Sequence, residues 1–213
     1  MTDPRVLDGL REQLVSWRAE LQGGARRVGW KIGFNLPAVR EALGIEEPAI
    51  GHLTSATLLE DGATYSAAGA VRLVLEPEVA VEIGEGGEAA GYAAAIELAD
   101  FDRPLDDVQA IVAGNIFHRA VVLGTDRPEL EGRLEARVVV NGEERASAAA
   151  PDDYFAGVVA LAARLLGEAG ESLRPGDRII CGTITPPLPV GAGEDVTVEL
   201  GGRLGSLNVR LGE

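Results

Sequence analysis

The chain has 213 residues, 46% of them hydrophobic and 25% charged, a composition that supports a packed core and excludes a disordered segment. Asp and Glu number 34 against 19 Lys and Arg, a net charge of −15, which speaks against nucleic acid or an anionic membrane surface as partner. One cysteine, Cys181, rules out an internal disulfide, and two histidines, His52 and His118, rule out a His-rich zinc site.

The opening residues, MTDPRVLDGLREQ, are charged and no apolar stretch follows them. Neither a signal peptide nor a spanning helix is expected, and the chain reads as soluble and cytoplasmic. Within the basic residues, Lys31 is the only lysine; every other one is arginine. A bias toward arginine explains the others and leaves this position as a question.

In chain order, residues 4–22 predict a helix: Asp3 caps it, Pro4 suits its first turn, and Val6, Leu10, Leu14, Trp17 and Leu21 fall at helical spacing before Gly23 and Gly24. A strand is expected at 27–34, then a helix of about two turns with Asn35 as cap, Pro37 just inside and Gly44 at its end. Residues 45–56 read as loop, and 57–65 as a hairpin around Asp61 and Gly62. The clearest strand is 71–84, followed by a Gly-rich turn at 85–91 and a return strand at 92–101. A short helix near 104–113, a loop and strand over 114–124, and a hairpin at Asn141-Gly142 come next. A buried helix over 152–169 and strands at 178–184, 195–200 and 204–211 complete the chain. The expectation is a single α+β domain of mainly antiparallel or mixed sheet, with about three helices outside it.

Side chains alternate along a strand, so Glu76 and Glu78 share one face, about 7 Å apart at Cα. Side by side, two carboxylates raise one another's pKa unless a cation lies between them. A solvated edge strand would carry such a pair, but Glu97, the lone charge in AAAIELA on the return strand, weighs against that. Hairpin pairing can bring Glu97 beside the other two. Three carboxylates from adjacent strands make half a coordination shell for a hard divalent cation such as Mg²⁺, Mn²⁺ or Ca²⁺.

GWKIGFN, EPAIGHL, EPE at 76–78, IEL at 96–98 and LRPGDRIICGTITPPLPVGAGEDV at 173–196, in that order, resemble the fumarylacetoacetate hydrolase superfamily. The resemblance is to its 2-keto-4-pentenoate hydratase and 4-oxalocrotonate decarboxylase branch. It implies a mixed β-sheet roll with a few peripheral helices, forming a catalytic domain over 27–213 that the helix of residues 1–26 precedes. It also implies Mg²⁺ or Mn²⁺ held by Glu76, Glu78 and Glu97, a small 2-oxo acid as substrate, and a homo-oligomer of two or more copies. The family's lysine falls on Lys31, where an ammonium can donate a proton or stabilise an enolate and a guanidinium cannot. The GTIT turn places Thr183 and Thr185 as candidate hydroxyl donors to the substrate carboxylate.

The chemistry such a site implies begins with chelation of a 2-oxo acid by the metal and enolate formation. Water addition then gives a hydratase, the leading expectation; loss of CO₂ gives a decarboxylase, and attack of water on a second carbonyl gives a C–C hydrolase. The sequence also departs from the family pattern. The aspartate expected near the lysine is Ala49, and the Ala-Asp-Asn segment is Ala113-Gly114-Asn115, which keeps Asn115 as a candidate substrate contact. Glu47, His52, His118 and Arg119 are the available replacements, with His52 and Glu47 the nearest in sequence. These losses also admit a scaffold that kept the fold without catalysis, or an enzyme recruited to another reaction.

Overall fold

The computed structural model describes residues 2–213. It opens with α1 (Pro4–Gln22), capped by Asp3, whose Oδ1 accepts the Arg5 N–H at 2.9 Å, and buries Val6, Leu10, Leu14 and Trp17 along one stripe. There follow β1 (Arg27–Gly33), α2 (Pro37–Leu43), β2 (Ala49–Thr54), β3 (Leu58–Leu59), β4 (Thr64–Ser66) and the long pair β5 (Leu73–Ile83) and β6 (Ala89–Asp100). Next come α3 (Val108–Ala113), β7 (His118–Leu123), the hairpin β8 (Glu135–Val140) and β9 (Glu143–Ala149), and α4 (Val158–Glu168). The chain ends through β10 (Arg178–Ile180), β11 (Leu188–Pro189), β12 (Asp195–Leu200) and β13 (Gly205–Gly212).

Two sheets result. The larger runs β2-β1-β10-β5-β6-β7-β3, with β11 also on β5, and the smaller runs β4-β13-β12-β8-β9. Leu75, Val79, Ile96 and Val122 of the larger sheet pack with Val138, Val198 and Val209 of the smaller in one apolar cluster. On the other side Trp30 and Ile50 meet Leu10, Leu14 and Trp17 of α1 and Leu165 and Leu166 of α4 in a second. The larger sheet is therefore covered on both faces, and β5, between β10 and β6, is central rather than an edge. No helix among the described residues is long and apolar enough to cross a membrane.

Five expectations are corrected. Residues 45–56 are not all loop: Ala49–Thr54 form β2, whose six residues are all buried, so no alternation marks it. Residues 57–65 are not a hairpin. Leu58–Leu59 run parallel to β7 and Thr64–Ser66 parallel to β13, so the Asp61-Gly62 turn carries the chain from one sheet to the other. Asn35 does not cap α2, which begins after Leu36 without a side-chain cap; the Asn35 amide instead donates to the Thr183 carbonyl at 3.1 Å. The helix expected over 152–169 begins only at Val158, after a left-handed Gly157, and the strand over 178–184 ends at Ile180.

Candidate metal centre and active site

Antiparallel pairing of β5 with β6 sets Glu76 opposite Glu97 and Glu78 opposite Ala95. Residues directly opposite share a face, as do residues two apart, so all three carboxylates project to the same side. A carboxylate oxygen from each lies within 4.8 Å of the other two. Glu78 and Glu97 are buried and Glu76 is half-buried.

Lys31 reaches this cluster from β1. Its Nζ donates to Glu97 Oε1 and, at 3.0 Å, to the Ile116 carbonyl. His118 Nδ1 meets the same Glu97 oxygen at 2.7 Å, while its Nε2 meets Thr57 Oγ1 at 3.0 Å. Glu97 Oε1 is thereby saturated, whereas Glu97 Oε2 is buried without a hydrogen-bond partner among the described residues. Glu78 Oε2 accepts the Gly182 N–H at 2.7 Å.

The charges are out of balance. Burial, and then Glu97, push the Glu76 carboxyl up to about 7. Burial together with Glu97 and Glu76 carries Glu78 well above its ordinary range. Burial acts on Glu97 in the same sense, but Lys31 and His118 outweigh it and hold that carboxyl below its usual range. An unpartnered buried oxygen beside two carboxyls short of positive charge is what an all-oxygen divalent-cation site looks like, and the donor set fits Mg²⁺ or Mn²⁺.

The backbone around the cluster is specialised. Asn115, Ile116 and Phe117 take φ of 61°, 51° and 63°, three successive non-glycine residues in the left-handed region. Such a conformation costs roughly 1–2 kcal/mol per residue. It turns the Ile116 carbonyl onto Lys31, and the Asn115 amide braces it by accepting the His52 N–H at 2.8 Å and donating to the His52 carbonyl at 3.0 Å. Gly51 is required beside it, since a Cβ there would stand 2.7 Å from both Asn115 Oδ1 and Lys31 Cγ. Gly182, at φ +96°, likewise leaves room for the Asn35 side chain.

A cavity of about 360 Å³ opens beside the cluster, with Lys31, Glu76, Asn35, Thr183 and Arg72 as its polar lining. Phe34, Val74, Phe101, Leu105 and Phe117 supply much of its apolar wall. A few polar groups on an apolar wall is the usual form of a small-molecule site.

The other sequence candidates divide. The Thr183 hydroxyl donates to the Thr185 carbonyl at 2.6 Å, so at the cavity it is left to act as an acceptor. Thr185 is buried away from the cavity lining, its hydroxyl bonded to the Pro186 carbonyl at 3.1 Å. Asn115 spends both ends of its amide on the His52 backbone and does not line the cavity. His52 faces α1, with Gln13 Oε1 3.3 Å from Nδ1 and Glu20 Oε1 3.4 Å from Nε2. Glu47 is ion-paired with Arg164, also outside the cavity lining. Neither His52 nor Glu47 lines the cavity. Sequence reasoning missed Asn35 as a lining residue and Arg72 altogether, and nothing in their local pattern announces either.

The profile of the fumarylacetoacetate hydrolase C-terminal family matches residues 38–211. The chain belongs to the fumarylacetoacetate hydrolase family. It is 28% identical to a 4-oxalocrotonate decarboxylase of Pseudomonas putida, across 92% of this chain and 83% of that one. It is 29% identical to a 2-hydroxyhexa-2,4-dienoate hydratase of Comamonas testosteroni, across 91% and 83%. A solved 4-oxalocrotonate decarboxylase from Pseudomonas putida G7, complexed with magnesium and adipate, superposes with a TM-score of 0.81 at 25% identity, over 93% of this chain and 83% of that chain. A fumarylpyruvate hydrolase from Pseudomonas aeruginosa, in complex with Mn²⁺ and pyruvate, shares the family fold with a TM-score of 0.67 at 19% identity, over 88% and 90%.

Proposed function

We propose that this member of the fumarylacetoacetate hydrolase family is a divalent-metal-dependent lyase acting on a small 2-oxo or 2-hydroxydienoic acid, a hydratase of the 2-keto-4-pentenoate type. The observation that carries this is the clustering of the Glu97 carboxylate, whose buried Oε2 has no partner among the described residues, with Glu76 and Glu78, and Lys31 on the cavity wall beside it. Glu76, Glu78 and Glu97 would hold Mg²⁺ or Mn²⁺, which supplies Lewis-acid polarisation of a 2-oxo acid's carbonyl. The named relatives, hydratases and decarboxylases among them, support the class.

This chain's own residues do the rest. Lys31, fixed by Glu97 and Ile116, lines the cavity with one N–H unspent, and there it stabilises negative charge developing on a bound oxygen and passes a proton to carbon. Thr183 Oγ1 and the Asn35 amide orient the ligand, and the aromatic wall excludes water. Hydration adds water across the diene, leaving a 4-hydroxy-2-oxo acid.

One observation favours a second reading. With His52, Glu47 and His118 all outside the cavity lining, Lys31 is the cationic proton donor on the cavity wall beside the carboxylates. Decarboxylation of a vinylogous 2-oxo acid needs one donor and no activated water, so it suits such a site. Incubation with Mg²⁺ and a panel of 2-hydroxydienoates and 2-oxoenoic diacids separates the two: a 4-hydroxy-2-oxo product marks the hydratase, CO₂ the decarboxylase. Turnover of no member, or Mg²⁺ affinity unchanged in both Glu76→Gln and Glu78→Gln, overturns the proposal.

A further inference from the structure

Resting on the 2-oxo acid reading, we infer that Arg72 selects substrates carrying a second carboxylate at the end remote from the 2-oxo acid group. Arg72, Val74 and Glu76 all line the cavity at alternate positions, Val74 and Glu76 within β5 and Arg72 immediately before it. At about 3.3 Å per residue, the Cα atoms of Arg72 and Glu76 are on the order of 13 Å apart. The cavity thus has a carboxylate cluster and a lysine toward one end, an arginine toward the other, and apolar wall between.

Three features make Arg72 a reader rather than a surface ornament. Its backbone is pinned: the N–H donates to Asp100 Oδ1 at 2.7 Å and the carbonyl accepts the Phe101 N–H at 3.0 Å. Its guanidinium carbon lies 5.0 Å from the Phe101 ring centroid, a stacking contact on a residue of the cavity wall. Its guanidinium makes no ion pair or hydrogen bond among the described residues, although the chain carries a large acidic excess. The nearest acids are engaged elsewhere. Asp100 holds the Val71 and Arg72 N–H groups, and Asp102 pairs with Arg103 and Arg119.

A planar guanidinium whose donors are unspent is suited to bind a carboxylate in two-point fashion. A monocarboxylic 2-oxo acid would leave it in water, whereas a linear diacid would span the cavity and meet both ends. The charge-assisted contact supplies discrimination that the apolar wall, indifferent to a terminal methyl, does not.

The test compares 2-oxoadipate with 2-oxohexanoate by titration calorimetry in the presence of Mg²⁺. The protein is expected to bind the diacid about tenfold more tightly, the contribution of one charge-assisted contact. In Arg72→Gln that ratio falls to near one, and in Arg72→Lys an intermediate ratio returns. A ratio near one in the unsubstituted protein, or a preference that survives Arg72→Gln, overturns the assignment of Arg72 and leaves the 2-oxo acid reading standing. Failure of both ligands to bind overturns the two together.

Discussion

Lys31 sits between Glu97 Oε1 and the Ile116 carbonyl, so its charge has a fixed address in the cavity wall. Lys31→Arg keeps a positive charge but not a readily lost proton, and kcat is expected to fall by at least a hundredfold, about the share a positioned proton donor contributes. Mg²⁺ binding persists in that variant. Lys31→Met, which removes a cation from beside Glu97, tightens it; calorimetry with Mg²⁺ checks both. His52 makes a different prediction. Burial, working against Glu20, pushes its imidazole down to about 4, so between pH 6.5 and 4 the unfolded chain binds a proton that the folded one refuses. Stability contributed by neutral His52 is thus complete above pH 6.5 and drains as pH falls toward 4, by about 2–3 kcal/mol at 1.36 kcal/mol per unit. Urea unfolding at pH 7.5 and 4.5 should show the wild-type advantage over His52→Gln shrinking by that amount. At this scale Glu76, Glu78, Glu97 and Lys31 were legible, because a lone acid in an apolar strand and a lone lysine among arginines are visible as exceptions. Arg72 was not, since one arginine among many carries no mark until the fold sets it on the cavity wall.

The turn between α3 and β7 is the element on which the site depends most. Its three left-handed residues persist because Asn115 clamps the His52 backbone and because Gly51 leaves space beside it. Asn115→Ala removes two bonds to the buried strand β2 and is expected to cost about 1–3 kcal/mol in chemical denaturation. It should also lower kcat, since the Ile116 carbonyl loses its aim at Lys31. Long elements with one apolar face, such as α1 and the β5–β6 hairpin, were readable from periodicity. β2 was not, because burial on both faces erases alternation, and the Asp61-Gly62 turn misled because the same dipeptide serves hairpins and crossings between sheets.

Across the whole molecule, the sheet covered on both faces stores three carboxylates in its interior, and their titration is linked to folding. Glu76 and Glu78 have folded-state values raised above their ordinary range. The stability they contribute through protonation is present at low pH and lost as pH rises through about 7 for Glu76. Metal-free protein should accordingly gain in Tm between pH 8 and 6, a gain that Glu76→Gln reduces. Added Mg²⁺ should raise Tm most at pH 8 and progressively less toward pH 6, as protons compete for the same oxygens. A two-dimensional scan of Tm against pH and Mg²⁺ checks both signs. Strand alternation, hairpin pairing and the order of motifs along the chain foreshadowed this arrangement. The burial of Lys31 has one more consequence. With no other lysine in the sequence, an amine-acylating reagent finds no ε-amino group on the outer surface. Modification of that single side chain, read by mass spectrometry, is a background-free gauge of how often the cavity opens and of whether a ligand is holding it shut.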